Sequence, residues 1–177
     1  MSRLPIMLLL LPAIGCSSEP AAPAVSVPFT PQSTASSGTI STPLGRATFA
    51  DPQGETFKVK RITGDWHVEV KAKPGFDLAV QEIDFAPGSW SGWHTHPGPV
   101  FIQVVTGEMT FYEADDPDCE PIVRSAGQGI LDVGEHAHIA RNETTESAKN
   151  LVVYLVPPGA PALRFDAPDP GHCPFTN

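Results

Sequence analysis

The sequence predicts an all-β domain, a sandwich or barrel built from many brief strands. Three observations carry that expectation. From about Arg46 onward, short apolar or alternating runs follow one another. Turn residues punctuate them at close intervals, and no long stretch has the spacing of a helix face.

Taken in order, the runs are "FKVKRI" from Phe57, "WHVEV" from Trp66, "DLAVQEIDF" from Asp77 and "GWHTH" from Gly92. Next come "VFIQVV" from Val100, "EMTFY" from Glu108 and "PIVRS" from Pro121. "GILDV" from Gly129, "AHIAR" from Ala137 and "NLVVYLV" from Asn150 complete the set. β-Branched and aromatic residues dominate these runs because they suit a pleated, half-buried surface. The breaks carry "TGD", "KPG", "APGS", "PGP" and "TGE". Pro87, Pro97 and Pro99 fall at breaks, where a missing N–H costs no ladder bond.

The chain has 177 residues, enough for one domain with a proper core and some additional sequence. Twenty acidic against eleven basic residues give a net charge of -9. Such a surface repels phosphate backbones and argues against a nucleic-acid partner. The acidic stretch "EADDPDCE" lacks the glycine and ligand spacing of an EF-hand and reads as a solvated turn.

The amino terminus reads as an export signal, residues 1–15. Arg3 precedes "LPIMLLLLPAIG", an apolar run too short to span a bilayer as a stable helix. The run ends at "AIGC", which resembles the lipobox of bacterial lipoproteins and makes Cys16 the expected site of acylation. An ordinary signal peptide cut nearby is the alternative. Lipidation would place the protein in the bacterial cell envelope, anchored on the extracytoplasmic side; without it the protein would be secreted. Residues 16–45 are mostly Ser, Thr, Ala and Pro and read as a disordered tether, with the domain and its tail over 46–177. If Cys16 carries lipid, Cys119 and Cys173 remain as a pair in an oxidising compartment. A bridge between them would close a loop of about 55 residues and contribute about 4 kcal/mol in the chain-entropy model. Two free thiols, or a thiol ligand to a metal, are the competing readings.

The chemistry is concentrated in histidines. His94 and His96 are spaced i, i+2, so on a strand both face the same way, and "HAH" at His136–His138 repeats the spacing. Two imidazoles from one strand and a third from another make a facial ligand set with open positions. Gly88, His94, His96 and Gly107 reproduce the first motif of the cupin superfamily, and Gly127, His138 and Asn142 resemble its second. Where that second motif usually has Pro and Gly, this chain has Val133 and Glu135, with Gly134 beside them to supply the turn. The resemblance spans roughly Phe76 to Val156 and implies a single-domain β-barrel of jelly-roll type.

One departure matters. The cupin motif normally places a glutamate ligand four residues after the second histidine, and here that position is Val100. Gln103 is the nearest polar substitute, but strand alternation turns it to the opposite face. A site of three histidines, His94, His96 and His138, is therefore expected, with an exchange of His136 for His138 left open. His136, Gln103, Glu135 and Asn142 are read as neighbours of the ligands or pocket residues, and Trp90 as an aromatic lip. Arg141 is the one arginine close in sequence to a histidine, and alternation does not fix its direction.

Three-histidine iron sites occur among cupin thiol and diketone dioxygenases. The resemblance thus implies a divalent metal and a dioxygenase-like oxidoreductase acting on a small organic molecule. Iron suits that chemistry; zinc, copper, nickel and manganese are the other candidates. The alternative is a non-catalytic metal-binding or small-ligand-binding module of the envelope. A homodimer is compatible, since cupins often pair through their sheets.

Overall fold

A computed structural model describes residues 36–175. The expected signal segment, Cys16 and most of the expected tether lie outside the described residues. Twelve strands and no helix are found among them. In chain order these are β1 (Ser37–Ala50), β2 (Phe57–Thr63), β3 (Trp66–Ala72) and β4 (Gly75–Trp90). Then follow β5 (His94–Thr95), β6 (Val100–Thr106), β7 (Glu108–Glu113) and β8 (Ile122–Ser125). β9 (Gly129–Asp132), β10 (His138–Arg141), β11 (Ala148–Val156) and β12 (Phe165–Asp166) complete the chain.

Ten strands form one antiparallel sheet that folds over on itself as a jelly roll. One layer runs β1-β4-β11-β6-β9 and the other β12-β5-β10-β7-β8. The layers join where Arg141 of β10 pairs with Trp90 at the end of β4. Alternation decides what lies between them. Val100, Ile102 and Val104 of β6 point inward while Phe101, Gln103 and Val105 point out. Phe111, Met109, Val100, Val104 and Val156 are at most 1 % exposed and meet Ala79 and Tyr154 in the main core. Burying each of the larger side chains contributes about 1.5–3 kcal/mol.

β2 and β3 form a separate hairpin, closed by Gly64 and Asp65 between the paired Thr63 and Trp66. Phe57 holds it to the barrel by packing on Phe76, with ring centroids 5.4 Å apart, and Phe49 stacks on the same ring at 5.4 Å.

Two expectations are corrected. The domain starts at Ser37 rather than 46, because β1 pairs with β4 from Thr39 opposite Phe85 to Ala50 opposite Gly75. Its Pro43 sits at a register shift on an edge strand, where the absent N–H is tolerated. Arg46 fastens this edge through Asp77, with Nη2 and Oδ2 2.6 Å apart, and Thr48 donates to the other oxygen of the same carboxylate. The break expected at "APGS" lies inside β4. There the register jumps from Phe85 to Trp90 and Gly88 takes a left-handed φ of 70°, so the signal marked a bulge and not an end.

A second cluster lies outside the main core. Trp93, Tyr112, Cys119 and Ile139 are buried there under the carboxy-terminal tail. A disulfide joins Cys119 to Cys173, with Cα atoms 5.4 Å apart, and brings Phe175 over Trp93. In the acidic stretch, Asp116 accepts the N–H groups of Asp118 and Glu120, which makes it a self-braced turn.

Candidate metal centre

The turn at Ser91–Trp93 delivers the first two histidines. Gly92 takes φ 74°, conformational freedom that only glycine has cheaply, and β5 begins at once with His94. Ser91 clamps the turn to β10: its N–H donates to the Ala140 carbonyl at 2.8 Å, and its Oγ accepts the Ala140 N–H at 2.9 Å. That clamp sets the register in which His138 stands directly opposite His94.

The three rings converge. Centroids lie 4.4 Å apart for His94 and His138, 4.7 Å for His94 and His96, and 5.1 Å for His96 and His138. One ligand atom from each falls within 4.8 Å of the others, and all three residues are buried. Of the second imidazole pair, His138 and not His136 joins this cluster.

Hydrogen bonds fix two tautomers. His94 Nδ1 lies 2.8 Å from the Gly92 carbonyl and His96 Nδ1 2.7 Å from the Leu163 carbonyl. A carbonyl only accepts, so each Nδ1 carries the proton and each Nε2 keeps its lone pair. Burial, reinforced by the charges of His138, Arg164 and His96, drives His94 well below the ordinary imidazole value. Burial and then His138 bring His96 to about 4, against the pull of Leu163 and Asp132 in the other direction. Both rings are therefore neutral near pH 7, the protonation state in which imidazole binds a metal.

Asp132 is the residue that sequence reasoning missed. It ends β9 at 7 % exposure, and its Oδ2 lies 3.0 Å from His138 Nδ1 and 3.6 Å from His96 Nε2. Both Oδ2 and His138 Nδ1 are buried, and the two atoms lie within ion-pair distance. Burial pushes this carboxyl up, but His138 and the Gly134 N–H outweigh it and hold it below its usual value. The signal was present: in "GILDV", alternation puts Asp132 on the same face as Ile130.

Arg164 and Tyr154 complete the surroundings. Arg164 Nη1 donates to the Ser91 carbonyl at 2.8 Å and Nη2 to Asp166 at 2.5 Å, so its charge stands beside the histidines although it lies far along the chain. The Tyr154 ring is 5.4 Å from His96, its hydroxyl accepts from Gln81, and burial raises its pKa.

The other expected site residues are elsewhere. His136 and Glu135 are exposed, and His136 Nδ1 instead sits 2.9 Å from Asp115. The turn at Val133–Gly134 breaks the alternation that would have aimed His136 inward. Gln103 lies on the outer face of β6. Trp90 packs in the cluster under the tail, where the Arg141 guanidinium lies 5.6 Å from its ring and 4.1 Å from that of Phe175. Arg141 thus faces away from the histidines. Asn142 is a strut: its amide donates to the Phe85, Ala86 and Glu146 carbonyls and its oxygen accepts from Thr144.

The donor set fits a divalent ion. Three buried imidazoles converge, and the Gly92 and Leu163 carbonyls leave the Nε2 lone pairs of His94 and His96 available as ligands. Nitrogen-rich sites of this kind suit iron, zinc, copper or nickel.

Comparison with known proteins agrees in kind. The family model described as "Cupin domain" matches residues 81–154. No curated protein matches. Among solved structures, the chain is similar to the cupin domain of an XRE family transcriptional regulator from Enterobacter cloacae. The two are 17% identical, with 69% of this chain and 99% of that one covered and a TM-score of 0.42. The polyketide cyclase RemF from Streptomyces resistomycificus is 17% identical, covering 78% of this chain and 80% of its own, with a TM-score of 0.49. A cupin-like protein from Thermotoga maritima is 16% identical over 52% of this chain and 65% of its own, with a TM-score of 0.43.

Proposed function

Residues 81–154 belong to the cupin-domain family, and from that premise we propose that this chain is an exported, lipid-tethered metalloprotein with dioxygenase-like activity on a small organic molecule. The observation that carries the reading is the convergence of three buried imidazoles, His94, His96 and His138, on one point.

In this reading the three rings hold a divalent ion, which supplies Lewis acidity and, as iron, redox capacity toward O₂. The protein's own part is preorganisation. Gly92 and Leu163 lock the tautomers of His94 and His96, so their lone pairs need no reorientation on loading. The buried walls formed by Val100, Tyr154 and Leu163 exclude water from the rings. The Arg164 guanidinium places a positive charge beside the site and favours an anionic or electron-rich substrate.

Export rests on the signal-like amino terminus and on Cys16 as lipid attachment point, and the Cys119–Cys173 bridge is of the kind that persists outside the cytoplasm. The partners are then a small molecule and, through lipid, a membrane. A second copy of the chain suits the outer face of β6, β9 and β11, where Phe101 and Leu131 stand about half exposed beside Leu151 and Val153.

A second reading, a non-catalytic binder of metal or small ligand, is favoured by the engagement of the polar groups nearest the rings. Tyr154 is tied to Gln81, and Arg164 to Ser91 and Asp166. One experiment separates the two. Protein purified from its own compartment is analysed for metal, and O₂ uptake is followed against a panel of small thiols, diketones and phenolic acids. Bound iron with substrate-dependent uptake, lost in His138→Ala, supports the oxygenase. Bound zinc with no uptake across the panel supports the binder.

A further inference from the structure

The β2–β3 hairpin sorts its side chains onto two faces. Register partners share a face, so Val59 with Val70, Arg61 with Val68 and Thr63 with Trp66 stand on one side. Lys58 with Lys71, Lys60 with Glu69 and Ile62 with His67 stand on the other. At its base the apolar side is held to the barrel by Phe57. Toward the turn it is open: Val59 is 48 % exposed, Val68 39 % and Trp66 58 %. A two-stranded hairpin is marginal in water by itself, and this one leaves its apolar side facing solvent.

Charge also sets the hairpin apart. Residues 57–72 hold four of the eleven basic side chains, Lys58, Lys60, Arg61 and Lys71, against Asp65 and Glu69. The hairpin is thus net positive in a protein of net charge -9. Glu69 takes up Lys58 at 3.3 Å. Lys60, Arg61 and Lys71 are exposed and have no ion-pair partner among the described residues. Lys71 also stands directly opposite Lys58, a like-charge pairing that costs stability until a counter-charge arrives.

We propose that this hairpin docks on a membrane, laying its apolar side, led by Trp66, into the interface of an anionic phospholipid bilayer. The inference rests on the envelope location proposed above and adds a contact of the folded domain to the lipid at Cys16. Segments with aromatic and aliphatic side chains on one face and lysines on the other lie in such interfaces. A tryptophan suits the headgroup level because its ring is apolar and its N–H polar. Lys60 and Lys71 have stems long enough to turn their ammonium groups to the phosphates. The acidic remainder of the surface is repelled by the same lipids, so the hairpin is the part that approaches. A second copy is the poorer occupant, since apposed hairpins would bring two sets of basic side chains together.

The tether length permits both contacts. Twenty residues from Cys16 to Ser36 reach at most about 70 Å. The 14 residues of β1, whose far end leads into the hairpin, extend about 46 Å.

The test uses the processed chain with vesicles of phosphatidylcholine alone or in equal parts with phosphatidylglycerol. Brominated acyl chains in both quench any tryptophan that enters the bilayer. Trp93 is buried and Trp90 packs under the tail, so Trp66 carries the lipid-accessible emission. Quenching is expected with the mixed vesicles, weaker with phosphatidylcholine, and lost in Trp66→Phe. Lys60→Gln and Lys71→Gln should each weaken docking roughly fivefold, the effect of one basic charge at an anionic surface. Added salt should weaken the parent in the same way. Both lysines are exposed, and thermal unfolding checks that the variants fold as the parent does. Unquenched Trp66 on vesicles that bind the chain, or equal quenching in the two lipids, would overturn the proposal and leave the lipid anchor standing. A blue-shifted Trp66 emission without vesicles, reversed by dilution, would also overturn it, because a second copy would then cover the face. Mass spectrometry of Cys16 reads the anchor separately. An unacylated cysteine refutes the tether, while salt-sensitive quenching of the soluble chain still decides the hairpin.

Discussion

His138 on β10 is the direct cross-strand partner of His94 on β5. The two sequence motifs thus meet through backbone pairing and not through a loop, and the pairing is held by Ser91, whose Oγ accepts the buried Ala140 N–H. Ser91→Ala leaves that N–H without an acceptor and should cost about 1–3 kcal/mol of stability, with weaker metal binding as β10 loosens. Denaturant unfolding checks it. Stability and metal affinity both equal to the unaltered chain would show that Ser91 does not set the register.

The Cys119–Cys173 bridge should be the main fastening of the tail. With 54 residues of sequence separation, its loss in Cys173→Ser should destabilise the domain by about 4 kcal/mol in the chain-entropy model. Trp93, 4 % exposed and stacked beneath Phe175, should become solvated, so its fluorescence should shift to longer wavelength in the folded variant. An unshifted spectrum would mean that the aromatic contacts hold the tail without the bridge.

Acid should loosen the β1 edge. Burial pushes Asp77 up, but Thr48, the Gly159 N–H and Arg46 outweigh it and hold it below the usual aspartate value of 3.8. A depressed carboxylate contributes stability that is complete above the unfolded value and disappears as pH falls through the folded one. The loss should therefore fall below about pH 3.8. Asp77→Asn should remove about 3 kcal/mol at pH 7, as breaking a buried pair does, and flatten the acid limb. Equal stability of variant and parent at pH 7 would contradict this.

The outer face of β6 and β9 should carry self-association. Leu131 is 53 % exposed beside Phe101 at 49 %, and Leu131→Lys places a charge in the patch. Light scattering should find a dimer for the unaltered domain and a monomer for the variant. A monomeric parent at high concentration would remove the second copy from the reading.

Most of this architecture was legible because strand alternation is local. The run beginning at Phe57 and that beginning at Asn150 became β2 and β11 almost to the residue. β1 was not legible: its Ser, Thr and Pro content matches a tether, and only pairing with β4 makes it a strand. Composition reports what a segment can bury alone and is silent on what a neighbour will pair with. In the site, the i, i+2 spacing placed His94 and His96, and the second motif placed His138. Asp132 was missed because its importance lies in standing beside His138 and His96, a fact of register fixed by the whole sheet. Arg164 was missed for a similar reason, since only the return of the chain through β12 brings it to Ser91.

The most direct test of the account is metal stoichiometry in the unaltered chain and in His94→Ala, His96→Ala and His138→Ala, measured by elemental analysis after loading and desalting. His136→Ala serves as a control, since that ring is exposed and paired with Asp115. One divalent ion per chain is expected in the parent and in the His136 variant, with most of it lost in each of the other three. Retention of a full equivalent in the His94, His96 and His138 variants would show that these rings do not hold the metal, and the proposed function would fall with them.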